Sequence, residues 1–241
     1  MEKREKLKVK FRQATKVDVD GLVVLEKSVW GDGAANREQI ESRINVFPQG
    51  NIIAIYDQQI VGYVSFQCVD NVAESPEFSW AEITDNGMIV NSHKPNGKYL
   101  YGINLSVSHS MNGQNLSLDL FLFVWANLIL NNRKGAFLGS RIPCFSSYKK
   151  RNPEISAEEY ICLKRNGHAY DPELRIYGKD GLKPVKVLPN YFPDPKSLNY
   201  GVLIYRNNPF YNLPFRKLWA YIIGEIPSIR NKFIIKKKIK K

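Results

Sequence analysis

The segment from Tyr99 to Leu130 constrains this chain most. A strand-like run, Tyr99–Val107, enters a short polar turn, Ser108–Asn115, and the turn opens directly into an apolar helical stretch, Leu116–Leu130. Strand, tight turn and helix start in that order make a site for anions. The first backbone N–H groups of a helix have no internal partner, and the helix dipole favours negative charge there. The residues placed to hold such an anion are Asn112, Gly113, Gln114, Asn115, Leu116 and Ser117. The helix behind them is apolar nearly all round, with Ser117, Asp119 and Asn127 as its polar points. Such a helix is expected to be covered on both sides, by the long connections, by a C-terminal segment or by a second copy of the chain.

The rest of the sequence supplies strands and helices in mixed order. Lys8–Ala14 alternates as a strand does, and Thr15 with Asp18 resembles a capping box ahead of a helix over Val17–Ser28. Asn36 is placed to cap a second helix, Arg37–Val46, which Pro48-Gln-Gly50 ends. Asn51–Tyr56 and Ile60–Val69 read as a hairpin. Residues 70–97 read as a long irregular connection containing Trp80, and residues 143–170 as a second one. Between them Gly135–Ser140 reads as a strand. After them come a short helix from Asp171-Pro172 to Lys179 and two closing strands, Lys183–Leu188 and Leu198–Tyr205. Strands interleaved with helices predict an α/β domain with a mixed sheet flanked by helices. We expect this domain over residues 1–208 and a basic extension over residues 209–241, which carries the amphipathic segment Phe215–Ile223.

Charge is concentrated at the ends. The net charge is +12, of which residues 1–10 contribute +3 and residues 232–241 contribute +6. The body is therefore nearly balanced, and the basic character points to tails that meet an acidic peptide or an anionic membrane surface, with nucleic acid not expected. The three cysteines, Cys68, Cys144 and Cys162, form no C-x-x-C pair, which fits a reducing cytoplasm. The three histidines are isolated and no metal-ligand spacing is present, so no metal site is expected. The N-terminus is charged and lacks the apolar core of a signal peptide.

The element order, with four local motifs, resembles the GNAT superfamily of acyltransferases. Phe11-Arg-Gln-Ala-Thr15 followed by Val17-Asp18-Val19-Asp20 looks like the family's opening segment. Gln59-Ile-Val-Gly62-Tyr63 looks like its third strand, and Ile103–Val107 like its fourth, which splays from the fifth to admit the pantetheine arm. Tyr177-Gly-Lys-Asp-Gly181-Leu182 fits the family's Tyr-x-x-x-Gly-Phe pattern. A subgroup is closer still: the GNAT-like domains of polyketide loading modules and those fused to carbon–nitrogen hydrolases. The carriers are Leu25-Glu26…Trp30, Arg43-Ile44…Phe47-Pro48-Gln-Gly50, Arg141-Ile-Pro143, Asp171-Pro-Glu-Leu-Arg175 and Leu188-Pro-Asn-Tyr191. Two departures stand out. The family's phosphate loop, Gln/Arg-x-x-Gly-x-Gly/Ala, here reads Asn112-Gly-Gln-Asn-Leu-Ser117. The fifth-strand Glu-x-Arg of ribosomal-protein-modifying members here reads Gly139-Ser-Arg141.

The resemblance implies an acyl-CoA-dependent enzyme. It would move an acyl group, acetyl to fatty, from CoA or an acyl carrier protein to a primary amine such as a Lys or ornithine side chain of a biosynthetic peptide. It implies that Leu105 and Val107 offer backbone groups to the donor, that residues 112–117 hold its pyrophosphate and that Tyr177 protonates the leaving thiolate. Trp30, Asn104 and Arg141 would line the substrate site. Glu26, Asp85, Glu158, Glu159 and His168 are open as the general base, beside a water relay. Cys144 has no His–Asp partner in sequence and is expected to be structural. Two other readings remain at this stage. One is decarboxylation with S-acyl transfer onto a carrier protein. Members that do this use a His and a Thr, whereas position 177 here is Tyr and no Thr stands near the fourth strand. The other is a non-catalytic GNAT fold that binds a peptide or nucleic acid.

Overall fold

The computed structural model describes residues 9–226. The basic stretches at residues 1–8 and 232–241, on which the tail expectation rests, lie outside the described residues. In chain order the strands and helices are β1 (Lys10–Gln13), α1 (Val19–Trp30), α2 (Arg37–Val46), β2 (Asn51–Tyr56), β3 (Gln59–Val69), α3 (Trp80–Thr84), β4 (Tyr99–Val107), α4 (Leu116–Leu130), β5 (Gly135–Arg141), α5 (Phe145–Lys149), α6 (Ala157–Cys162), β6 (Lys164–Arg165), β7 (His168–Ala169), α7 (Pro172–Lys179), β8 (Lys183–Leu188) and β9 (Gly201–Asn207). A further helix covers residues 216–226. Seven strands form one mixed sheet in the order β1-β2-β3-β4-β5-β9-β8. The parallel ladder of β4 with β5 is short: Tyr99–Gly102 pairs with Gly135–Leu138, leaving the rest of the nine-residue β4 outside it. That is the ladder of a splayed sheet.

The chain forms two compact units. The first comprises the chain up to Gln67, Ile103–Asn132 and the segment from Phe210. In it β1, β2 and β3 pair antiparallel. Alternation along β2 and β3 sends neighbours to opposite faces. Ile53 and Tyr63 join Leu22, Leu25, Ile40 and Ile44 of α1 and α2 in one buried cluster. Ala54 and Gly62 face the other way. A Cβ on Gly62 would lie 3.1 Å from Leu120 and 3.2 Å from Leu116, so α4 packs on that face at close range. Helix 216–226 lies against α4, with Gly224 beside Ala126. Part of the cover that α4 needs therefore comes from the chain's own C-terminal segment.

Local chemistry explains the boundaries in this unit. Asn36 and Gln39 exchange hydrogen bonds at the start of α2, with Asn36 Oδ1 accepting from Gln39 N at 2.9 Å and Gln39 Oε1 from Asn36 N at 2.8 Å. At its end, buried Asn51 donates to the carbonyls of Arg43 and Phe47, both at 2.9 Å, and accepts from Tyr63 Oη at 2.7 Å. Two carbonyls of the α2 C-terminus are thus satisfied by one side chain. Asp18 receives both arms of Arg12 at 2.7 Å, together with the backbone N–H and hydroxyl of Thr15 at 2.8 and 2.9 Å. The expected Thr15–Asp18 link is present, but it opens a 3-10 turn, Lys16–Asp18, and α1 begins after it at Val19.

The second unit comprises Cys68–Gly102 and Arg133–Pro209. Here β9 lies between β5 and β8, antiparallel to both. Both irregular connections contain structure that the sequence reading left out. Residues 70–97 include α3, capped by Ser79. Residues 143–170 fold into α5, α6 and the small hairpin β6–β7, whose turn is Asn166-Gly167 with both φ angles positive. The last strand is shifted. It starts at Gly201, because Leu198 and Asn199 take left-handed conformations and close a turn first.

Hydrogen bonding to Arg12, reinforced by Thr15, holds the Asp18 carboxyl below its ordinary value against the opposing effect of burial. Its folded-state pKa is depressed, so its contribution is present above the unfolded value of about 3.9 and is lost as pH falls through the folded one. Asp18→Asn is expected to cost about 2 kcal/mol at neutral pH. In urea denaturation, the gap between variant and wild type should narrow as pH falls below about 3.9.

Candidate active site

Apart from the open base candidates, of which Asp85, Glu158, Glu159 and His168 lie in the second unit, all but two of the residues expected at the site lie in the first unit. The exceptions are Tyr177 and Arg141. Beyond Gly102, β4 carries Asn104 and Ser106 on one face, with Leu105 and Val107 half-buried on the other. The last turns of α1 present Glu26 and Trp30, spaced four apart and so on the same side of the helix. Glu26 is 1% exposed and Ser106 is fully buried. Glu26 Oε1 accepts from Ser106 Oγ at 2.5 Å and from Asn104 Nδ2 at 2.8 Å, while Oε2 accepts from Ala35 N at 3.4 Å. Ser106 Oγ in turn accepts from Trp30 Nε1 at 2.7 Å and from Asn104 Nδ2 at 3.2 Å. The carboxylate thereby holds two strand side chains and, through Ser106, the Trp30 ring.

Past β4 the backbone turns sharply. Ser108 N donates to Val61 O at 2.9 Å and anchors the exit of the strand. A 3-10 turn, His109–Met111, follows. Asn112, Gly113, Gln114 and Asn115 are exposed, Leu116 is buried and Ser117 is half-buried. Gly113 and Asn115 both have positive φ, 77° and 55°. Asn tolerates that region better than other side-chain-bearing residues, so replacing the family's middle glycine by Asn115 still lets the loop close. No side chain caps α4, and a Cβ at Gly113 would meet nothing within 4 Å. The loop is open, and the donors of the first helical turn are available to an anion.

In the second unit, Arg141 at the end of β5 donates to Glu173 Oε1 at 3.1 Å and lies 4.0 Å from Asp194. Glu173 and Tyr177 lie one turn apart on α7, whose start is capped by buried Asp171 accepting from Glu173 N at 2.9 Å. Burial pushes the Tyr177 phenol up, Glu173 and Asp180 add to this, and Arg141 opposes it. Burial also raises Glu173, and Arg141 opposes that. Glu173 is the titratable residue that sequence reasoning missed. Its signal was there in the four-residue spacing between Glu173 and Tyr177.

The remaining base candidates differ in setting. Asp85 accepts from Asn91 N and Nδ2 at 2.9 and 3.0 Å. Glu159 accepts from Ser156 N at 2.8 Å as a helix cap. Glu158 and His168 are exposed. Burial, with Asp171 adding to it, raises the Cys144 thiol, which suits a structural cysteine better than a nucleophile. At Gly139, the position matched to the strand-borne Glu of ribosomal-protein-modifying members, a Cβ would fall far inside van der Waals contact of the Tyr191 side chain, and Gly201 meets the same ring. Tyr191 Oη bonds Tyr101 Oη at 2.7 Å. A carboxylate at position 139 is therefore excluded by packing.

No protein-family model matches the sequence. The chain is 31% identical over 211 residues to the uncharacterized N-acetyltransferase YkwB of Bacillus subtilis, a match that covers 83% of this chain and 89% of that protein. The chain belongs to the GNAT superfamily of acyltransferases. It is also 29% identical over 206 residues to the probable hydrolase YhcX of Bacillus subtilis, matching 85% of this chain but only 39% of that longer protein. The GNAT fold recurs in the crystal structure of the loading GNATL domain of CurA from Lyngbya majuscula, with a TM-score of 0.72, 23% identity, and coverage of 83% of this chain and 97% of that one. It recurs again in the GphF GNAT-like decarboxylase in complex with isobutyryl-CoA, at a TM-score of 0.69, 23% identity, and coverage of 82% and 98%. Among the described residues, no helix is long and apolar enough to cross a membrane.

Gly139→Ala tests the packing argument. It is expected to destabilise the protein by about 2–3 kcal/mol through overpacking, read as a lower thermal midpoint. In a Tyr191→Ala background, itself destabilised by loss of the ring, adding Gly139→Ala should cost much less than it does in wild type, because the space for the new methyl group is already open.

Proposed function

We propose that the protein transfers an acyl group from a CoA or carrier-protein thioester to a primary amine. The observation that carries this reading is the β4–turn–α4 segment, with Gly113 and Asn115 left-handed and the start of α4 uncapped. In the proposed mechanism, residues 112–117 hold the pyrophosphate of the donor. The backbone of Leu105 and Val107 binds the pantetheine arm and polarises the thioester carbonyl. The neutral amine attacks the carbonyl carbon. A C–N bond forms, the C–S bond breaks, and the nitrogen gives up its surplus proton to water. The thiolate takes a proton from the Tyr177 phenol, which is replenished from solvent. A phenol kept protonated by burial suits that task.

The apolar character of α4, with Leu130 47% exposed at its end, supports an acyl group longer than acetyl. A Lys or ornithine side chain of a biosynthetic peptide fits as acceptor. Helix 216–226 exposes Leu218, Tyr221 and Ile222 beside Arg216 and Lys217, which supports weak contact with an anionic membrane surface. A second reading is favoured by the likeness to the CurA and GphF domains: decarboxylation and S-acyl transfer onto a carrier protein. Release of carbon dioxide from malonyl-CoA would select it.

Titration calorimetry with CoA, followed by free-thiol release from acyl-CoAs of increasing length in the presence of primary amines, tests the proposal. Absence of CoA binding would overturn it. Ser117→Glu is compatible with a helix first turn and opposes the pyrophosphate, so the KM for acyl-CoA should rise at least about ten-fold while the fold persists. Tyr177→Phe should lower kcat by about 10–100-fold with unchanged acyl-CoA affinity.

A further inference from the structure

The cluster beneath β4 fixes the direction in which one amide points. A carboxylate only accepts hydrogen bonds, so the face that Asn104 turns to Glu26 must be its amide N–H₂. Nδ2 serves Glu26 Oε1 at 2.8 Å and Ser106 Oγ at 3.2 Å. Oδ1 is thereby turned the other way, and it has no hydrogen-bond partner among the described residues. Asn104 is half-buried. Glu26 is 1% exposed and meets three donors. It therefore presents no face to a substrate and is poorly placed to be the general base. A second buried charge, Arg43, lies in the same unit. Burial raises the Tyr63 phenol, Arg43 lowers it and Glu26 raises it further, so both charges act on one core residue.

We infer that Glu26 is a positioning residue. It fixes the Asn104 amide so that Oδ1, on the strand segment proposed to bind the donor, accepts an N–H of the incoming amine. This rests on the proposed amine acylation and adds a basis for acceptor choice. A neutral primary amine has two N–H bonds and one lone pair. Giving one N–H to Oδ1 leaves the lone pair free to attack. Trp30, held through Ser106, forms part of the same rigid set.

Glu26→Gln inverts the arrangement. The carbonyl of the introduced amide goes on accepting from Ala35 N–H while its N–H₂ donates to Asn104 Oδ1, so the Asn104 N–H₂ turns outward, where it cannot accept an amine N–H and instead ties up the lone pair needed for attack. In a double variant, Glu26→Gln with Asn104→Asp, the introduced amide donates to one oxygen of the introduced carboxylate, and the other oxygen again faces outward as an acceptor. The amine KM should rise about ten-fold in Glu26→Gln and in Asn104→Ala, with acyl-CoA affinity unchanged within about two-fold, and should return to within about three-fold of wild type in the double variant. Asn104→Ala carries the kinetic test if Glu26→Gln proves unstable. A second readout is independent of activity. The Asn104 side-chain amide protons, assigned by their loss in Asn104→Asp, should exchange slowly in wild type and lose that protection in Glu26→Gln. Unchanged protection overturns the orienting role. So does an amine KM unmoved by Asn104→Ala, or a double variant no better than Glu26→Gln. If no amine is acylated at all, the activity proposal falls and the proton-exchange result alone decides the role of Glu26.

Discussion

A buried carboxylate must be met by donors, and the need of Glu26 for them organises the junction of α1 with β4 in the first unit. Leaving such a group unsatisfied costs several kcal/mol. Ser106, Asn104 and the backbone of Ala35 all supply bonds. Two of these donors stand on β4 and one follows α1, so the carboxylate fixes the helix to the strand. It also fixes how the strand presents its side chains. This polar group and the Asn51–Tyr63 bond lie beside the apolar cluster of Leu22, Leu25, Ile40, Ile44 and Ile53.

The second unit is held by a comparable constraint of shape. Tyr191 lies over Gly139 and Gly201, and its hydroxyl meets that of Tyr101. Leu188-Pro-Asn-Tyr191 and Gly139 are thus one packing arrangement, although they entered the sequence reading as separate motifs. The same arrangement explains why a strand-borne Glu is missing. The space is filled by an aromatic ring, so any proton transfer must use other groups.

How much was legible in the sequence depended on how local each cause was. The bounds of β4, α4, α2 and β2 followed from periodicity and caps whose partners lie within a few residues, such as Asn36 with Gln39. Residues 143–170 did not read as structure because α5, α6 and β6–β7 are too short to show a period. They depend on packing among Phe145, Tyr148, Tyr160 and Tyr170. The Asn166-Gly167 turn was a usable hairpin signal that composition masked. Glu26 was named only as one of several acids. Its partners lie 78 and 80 residues away, beyond the reach of any local pattern. The loop at residues 112–117 reads in the sequence as a candidate anion site, held in doubt because Asn112, Asn115 and Ser117 depart from the family's Gln/Arg and two small-residue positions. The left-handed Asn115 resolves the backbone part of that doubt.

Two carboxyl groups of this chain show how environment sets role. Glu26 is enclosed and surrounded by donors, which suits it to hold neighbours in place. Glu173 is half-buried beside one cation and one phenol, and burial raises its pKa while Arg141 opposes the shift. A carboxyl balanced in that way can change protonation at less extreme pH than an exposed one, and it stands one turn from Tyr177 on α7. The enclosed carboxyl group and the half-buried one belong to different units. Neither occupies position 139, where the resemblance sets the strand-borne Glu of ribosomal-protein-modifying members.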